Sequence, residues 1–178
     1  MKRALVLGAS GQDGSLMCKS LLQKDYKVVG VSRNSSNNVL NHQKLGIEKD
    51  VDMHQGNIQD FETIESLIEK YMPDEIYNLA AQSSVGESFS KPLETTESII
   101  DGTINILEVS KKTNFTGNLF FAGSSEIFGL TEKGATTKHI QRPNSPYGIA
   151  KQASLNLVKM YRKNEGLKCM TGILFNHE

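Results

Sequence analysis

Tyr147 and Lys151 stand four residues apart in the run Tyr147-Gly148-Ile149-Ala150-Lys151. On a helix, residues at that spacing share a face. An ammonium beside a phenol favours phenolate and lowers its pKa, giving a base that works near neutral pH. Upstream, Gly123-Ser124-Ser125-Glu126 offers two more reactive groups. Ser124 can hydrogen-bond a reacting hydroxyl and help to place it. Glu126 is two residues on, so along an extended strand it points the same way as Ser124. Near a sugar it can move a second proton. The bland alternatives are an exposed helical Tyr–Lys pair and a solvated loop acid.

A base for a hydroxyl proton is useful to a redox enzyme only with a hydride acceptor. Gly8-Ala9-Ser10-Gly11-Gln12-Asp13-Gly14 supplies the place for one. It follows the apolar run Ala4 to Leu7 and opens a helical stretch from Ser15 to Gln23. The first glycine permits a tight turn, the second lets backbone approach a pyrophosphate, and the third lets helix and strand pack closely. The helix N-terminus then faces the negative charge. The spacing is G-x-x-G-x-x-G, and a glycine turn without a ligand is the alternative.

The second strand ends Gly30-Val31-Ser32-Arg33 with no acid to hold a ribose 2′-hydroxyl. Arg33 can pair instead with a 2′-phosphate, so NADP is expected over NAD. A solvated surface cation is the other possibility. Asn57, beside Ile58, can offer its amide oxygen to an adenine amino group; a turn-forming Gly56-Asn57 pair is the rival.

These groups need a scaffold. Short apolar runs at 3–7, 27–31, 51–55, 75–79, 118–123 and 168–174 read as strands. Helical patterns fall near 14–24, 60–71, 93–112 and 147–164. The alternation predicts an α/β fold, a doubly wound parallel sheet of Rossmann type covered on both faces. Phe61, Ile64, Leu67, Ile68 and Tyr71 make one apolar stripe, with Asp60 as its N-cap. Thr103, Ile104, Ile106, Leu107 and Val109 make another, and both are assigned to the core. The polar tracts 34–41 and 131–146 read as loops at the C-terminal strand ends, where such folds form their ligand crevice.

With 178 residues the natural count is one domain, 1–178. Twenty basic and twenty acidic residues cancel, which leaves no field to hold nucleic acid or an anionic membrane. Cys18 and Cys169 have no metal-type spacing, so no metal is expected and both read as small apolar packing groups. No apolar run approaches spanning length or a signal-peptide core, so a cytoplasmic location is the expectation.

The glycine turn, the Tyr147/Lys151 pair and Ser124 together resemble the extended short-chain dehydrogenase/reductases that act on nucleotide sugars. More narrowly, the chain is similar to the GDP-mannose 4,6-dehydratases. Gly11 to Gly14, Asn78 to Ser83, Ser125-Glu126, Ser145 to Gly148 and Gly172 to Glu178 carry the likeness. It implies a lyase with bound NADP. Tyr147, with Lys151, would take the C4 hydroxyl proton of GDP-mannose as the C4 hydride leaves. Glu126 would remove the C5 proton and protonate the departing C6 hydroxyl, helped by Ser124, before the hydride returns to C6. Cofactor contacts would fall on the glycine turn, Arg33, Asn57, Ile58, Leu79, Ala80, Ala81, Gln82, Ser83, Tyr147, Lys151 and His177. Substrate contacts would fall on Ser83, Ser124 and Asn176. The resemblance also implies a homo-oligomer and a small C-terminal substrate domain beyond the end of this chain, so weak or absent activity of the 178 residues alone is expected. A 4-epimerase, another nucleotide-sugar dehydratase or a non-catalytic NADP-binding module are the alternatives. The match departs at Asn57 (usually Asp), Ser124 (usually Thr), Asn34 (usually Arg), Ser84 (usually His) and Glu94 (usually Tyr).

Overall fold

The computed structural model describes residues 1–33, 40–132 and 134–176. Six strands form one parallel sheet: β1 (Arg3–Leu7), β2 (Lys27–Ser32), β3 (Val51–Gln55), β4 (Glu75–Asn78), β5 (Asn118–Ala122) and β6 (Cys169–Gly172). Their order is β3-β2-β1-β4-β5-β6. The chain therefore winds one way from β1 and then the other, and the reversal lies between β1 and β4. Leu7 is in register with Val31 on one side and Asn78 on the other, so three strand ends meet at that reversal.

Alternation along the strands sorts the core into two faces. Leu5, Leu7, Val29, Val31, Ile76, Leu119 and Phe121 join residues of α3 (Phe61–Tyr71), α6 (Gly102–Lys112) and α7 (Pro146–Asn164) in one cluster. Ala4, Val6 and Val28 join Cys18 and Leu21 of α1 (Gln12–Leu22) in the other. Each fully buried leucine or isoleucine contributes about 1.5–3 kcal/mol relative to exposure, which is why the pattern fixes the face. Both expected stripes are core: Ile64, Leu67 and Ile68 are buried in α3, and Thr103, Ile106, Leu107 and Val109 in α6, while Ile104 is half-buried. The Asp60 side chain caps α3 by accepting from Thr63 N at 3.3 Å. Cys18 and Cys169 are free and buried, one in each cluster.

Three features differ from the sequence reading. Two six-residue helices, α2 (Leu40–Leu45) and α4 (Val85–Ser90), occupy stretches not read as helical, α2 reaching into the 34–41 tract. Both are too short to show a period. The long helix expected at 93–112 is α5 (Pro92–Thr96), a π turn (Glu97–Asp101) and α6. At the end of β5 the chain does not stay extended but enters a 3₁₀ turn, Ser125–Phe128. The Asn34 position lies outside the described residues.

The glycine turn divides its labour. Gly8 has φ +83°, and a Cβ there would stand 2.8 Å from the Leu79 carbonyl. A Cβ on Gly14 would stand 2.1 Å from the Gly8 carbonyl oxygen, whereas one on Gly11 would meet only that oxygen, at 3.4 Å. Gly14→Ala is expected to cost about 2 kcal/mol or more of unfolding free energy, as overpacking against rigid backbone does. Gly11→Ala should cost less than about 1 kcal/mol. Urea denaturation of the two variants checks this, and equal costs would refute the division.

Candidate active site

One open cleft of about 590 Å³ lies at the β1/β4 reversal. That is the size and place of a cofactor site in a doubly wound sheet. It is lined by Gly8, Ser10 to Gly14, Arg33, Asn57, Ile58, Leu79 to Ser83, Ser124, Tyr147, Lys151 and Asn176. The fold thus brings together most residues singled out in the sequence. Ala9 sits below the turn instead: its side chain is in the core, its N–H donates to Val31 O and its carbonyl faces His42. His177 lies outside the described residues.

The cradle end is shaped by backbone. Gly8 N and Ala9 N both donate to Val31 O, at 2.9 and 3.1 Å, and Gly11 N donates back to Gly8 O at 3.0 Å. The first-turn amides of α1 then open on the cleft, as helix starts leave them without intrahelical acceptors. The Ser10 and Ser32 hydroxyls hydrogen-bond each other at 2.7 Å, and Arg33 is exposed beside them. Asn57 Oδ1 accepts from Gln59 N at 3.2 Å, so the turn-forming role weighed from the sequence is present. One lone pair of that oxygen is left for a ligand. Across the cleft, Ala81 has φ +148°, a conformation that non-glycine residues rarely hold and that concentrates at ligand sites.

The reactive end is set by the start of α7. The Ser145 side chain caps that helix by accepting from Gly148 N at 3.0 Å, with Pro146 at its first position. This puts Tyr147 in the first turn and Lys151 one turn later. A Cβ on Gly148 would stand 2.8 Å from the Glu126 carbonyl, so glycine lets the 3₁₀ turn lie against the helix. Ser124 Oγ caps that turn by accepting from Glu126 N at 3.2 Å, and its hydroxyl is near enough to Tyr147 to favour the phenolate. Glu126 is half-buried and does not line the cleft, but its charge reaches Tyr147. It arrives there through the turn, not through an extended strand. Behind Tyr147, the π turn presents the Ile99 carbonyl to Thr103 Oγ1 at 2.7 Å and to Ser154 Oγ of α7 at 3.2 Å. That locks the long helix to α7.

Electrostatics reverses one expectation. Burial raises the Tyr147 phenol above its ordinary value, the neighbouring Ser124 hydroxyl offsets part of this, and the Glu126 charge raises it further. The Lys151 ammonium does not point at the phenol oxygen. It donates to Ala122 O at 2.8 Å and stands 5.6 Å from the Tyr147 ring centroid. Burial pulls Lys151 itself down to about 8. Burial therefore sets the direction of the Tyr147 shift.

The sequence reading placed Asn41 only within the 34–41 crevice loop and missed His42; both belong to α2 and grip the glycine turn. It also missed Ala122, whose carbonyl holds Lys151. A backbone acceptor leaves no mark in side-chain types, and α2 has no period. Ser84, a departure noted above, caps α4 by accepting from Glu87 N at 3.1 Å. Glu94 is exposed, 3.7 Å from Lys91 Nζ, and nothing in the structure explains it further. Among the described residues no group of three His, Cys, Asp or Glu side chains could hold a metal ion. None of the described helices is long and apolar enough to cross a membrane.

The Lys151 shift has a sign that can be measured. Its folded value of about 8 lies below the ordinary 10.5, so between about pH 8 and 10 the unfolded chain binds more protons there. Stability should rise with pH over that window, by up to about 3 kcal/mol relative to Lys151→Met. Above about pH 10 the raised Tyr147 works the opposite way. Urea midpoints of both proteins across the window test this, and parallel curves would refute it.

Comparison with known proteins supplies independent context. A family model described as GDP-mannose 4,6 dehydratase matches residues 5–178. A GDP-mannose 4,6-dehydratase of Vibrio cholerae serotype O1 is 37% identical across 99% of this chain and 50% of its own length. Arabidopsis thaliana GDP-mannose 4,6 dehydratase 1 is also 37% identical, across 99% of this chain and 52% of its own. This chain spans about half the length of the curated relatives it matches. Among solved structures, UDP-glucose 4-epimerase from Brucella ovis in complex with NAD superposes with a TM-score of 0.89 at 25% identity, across 99% of this chain and 52% of that one.

Proposed function

The chain belongs to the GDP-mannose 4,6-dehydratase family, and from that premise we propose that residues 1–178 form the NADP-binding, catalytic domain of a lyase converting GDP-mannose to GDP-4-keto-6-deoxymannose. The observation that carries this is one cleft joining the three-glycine cradle to Ser124, Tyr147 and Lys151. The residues present fit a dinucleotide: a Cβ at Gly8 or Gly14 would collide with the backbone that shapes the cradle. The Brucella epimerase holds NAD. Here Arg33 at the β2 end, with no acid in Gly30-Val31-Ser32-Arg33, favours NADP.

When bound, the nicotinamide supplies reversible hydride storage. The chain does the rest. The amides of Ser10 to Asp13 would hold the pyrophosphate, Arg33 the 2′-phosphate, and Asn57 and Ile58 the adenine, with Leu79 to Ser83 across the cleft; His177, added by the family likeness, lies outside the described residues. Tyr147 accepts the C4 hydroxyl proton, and Ser124 orients that hydroxyl. Lys151, predominantly an ammonium at pH 7 despite its shift to about 8, steadies the phenolate electrostatically. Glu126 takes the C5 proton and gives a proton to the C6 oxygen, which leaves as water; Tyr147 then gives the proton it took to C5 as C6 receives the stored hydride. Ser83 and Asn176 border the sugar. The protein is a cytoplasmic enzyme that associates with itself.

A second reading, sugar 4-epimerisation, is favoured by the close superposition on the Brucella enzyme. The two reactions differ in mass. With NADP and GDP-mannose, the 178 residues alone should give at most slow loss of one water, followed by mass spectrometry and abolished by Glu126→Gln. A change of sugar stereochemistry without water loss would establish the epimerase instead. Calorimetry should show NADP bound more tightly than NAD, with Arg33→Ala cutting that preference roughly ten-fold, as loss of a charge-assisted pair does. Tighter binding of NAD would sink the cofactor assignment.

A further inference from the structure

We propose that Asn41 and His42 are positioning residues that orient the glycine-turn amides for the cofactor pyrophosphate, an inference that rests on the dinucleotide-binding reading above. The His42 ring is fully buried beneath the turn and donates from Nε2 to Ala9 O at 2.8 Å. Asn41 Nδ2 donates to Ser10 O at 3.0 Å. With Gly8 O taken by Gly11 N, three successive carbonyls of the turn are each held by a named donor.

A planar trans peptide carries its C=O and N–H on opposite sides. Fixing Ala9 O toward α2 therefore turns the Ser10 N–H away from α2, and Ser10 lines the cleft. That N–H has no acceptor among the described residues. Fixing Ser10 O in the same direction turns the Gly11 N–H back to Gly8 O, which closes the turn. The two side chains thus set peptide planes that glycine-rich backbone would otherwise leave free to rotate.

Packing alone does not select a histidine here. With the proton on Nε2, Nδ1 is a bare acceptor, buried and without a partner among the described residues. An unmatched buried acceptor is destabilising, and a leucine would fill similar space without one. The ring's contribution is its hold on Ala9 O. His42 touches neither the cleft nor its contents, so it acts through the turn.

The test is calorimetric titration of the 178-residue chain with NADP, using folded His42→Leu, His42→Gln and Asn41→Ala, with folding followed by circular dichroism. His42→Leu should weaken NADP binding roughly ten-fold or more, because the Ser10 amide loses its fixed direction toward a charged partner. His42→Gln, whose amide N–H reaches where the imidazole Nε2 stood, should return to within about three-fold of native. Asn41 is partly exposed, so Asn41→Ala folds even if His42→Leu does not, and it should weaken NADP about three- to ten-fold. Native-like affinity in a folded His42→Leu, or in Asn41→Ala if His42→Leu does not fold, overturns the proposal, as does a glutamine variant no better than the leucine one. If the native chain itself binds no NADP, the cofactor reading fails first and takes this inference with it.

Discussion

The cleft exists because the carbonyl of Gly8 and the α-carbon of Gly14 approach where no side chain fits. That approach brings the start of α1 down onto the end of β1, beside the end of β4. The helix start then opens toward the space between diverging strand connections. Any Cβ at Gly14 lifts the helix, and any Cβ at Gly8 presses the turn off the Leu79–Ala80 peptide. Everything else in the site is arranged around that fixed point: Arg33 at the neighbouring strand end, Leu79 to Ser83 opposite, and the strained Ala81 among them.

The reactive end is held by a different economy. Its groups are polar and buried, so each is tied by a hydrogen bond that fixes geometry. Lys151 reaches the Ala122 carbonyl, Ser124 accepts from the Glu126 amide, and Ser154 meets the carbonyl that the π turn presents. The cost is electrostatic. Burial works against charge on both Tyr147 and Lys151. The site thus pairs a phenol raised by burial with a lysine that burial lowers to about 8.

Much of this was legible in the chain. Apolar runs gave every strand to within two residues, because burial on both faces demands them. The α3 stripe and its Asp60 cap were visible because a 3.6-residue period and a capping side chain are both local. The short helices α2 and α4 were not, since six residues span too few turns to display a period. The place of Glu126 was misread for a related reason. The step from strand to 3₁₀ turn is set by the Ser124 cap and by the room that Gly148 leaves, two contacts the local sequence does not announce.

By itself the sequence determined the parallel α/β fold, the glycine cradle and the list of reactive side chains, because periodicity, turn chemistry and residue type are encoded locally. Only the tertiary structure decided that Lys151 spends its proton on Ala122, that burial lifts the Tyr147 phenol, that Glu126 reaches Tyr147 through a turn, and that His42 holds the cradle from below. Each of those depends on backbone carbonyls and on solvent exclusion. Neither has a letter in the sequence, and both exist only once distant segments are packed together.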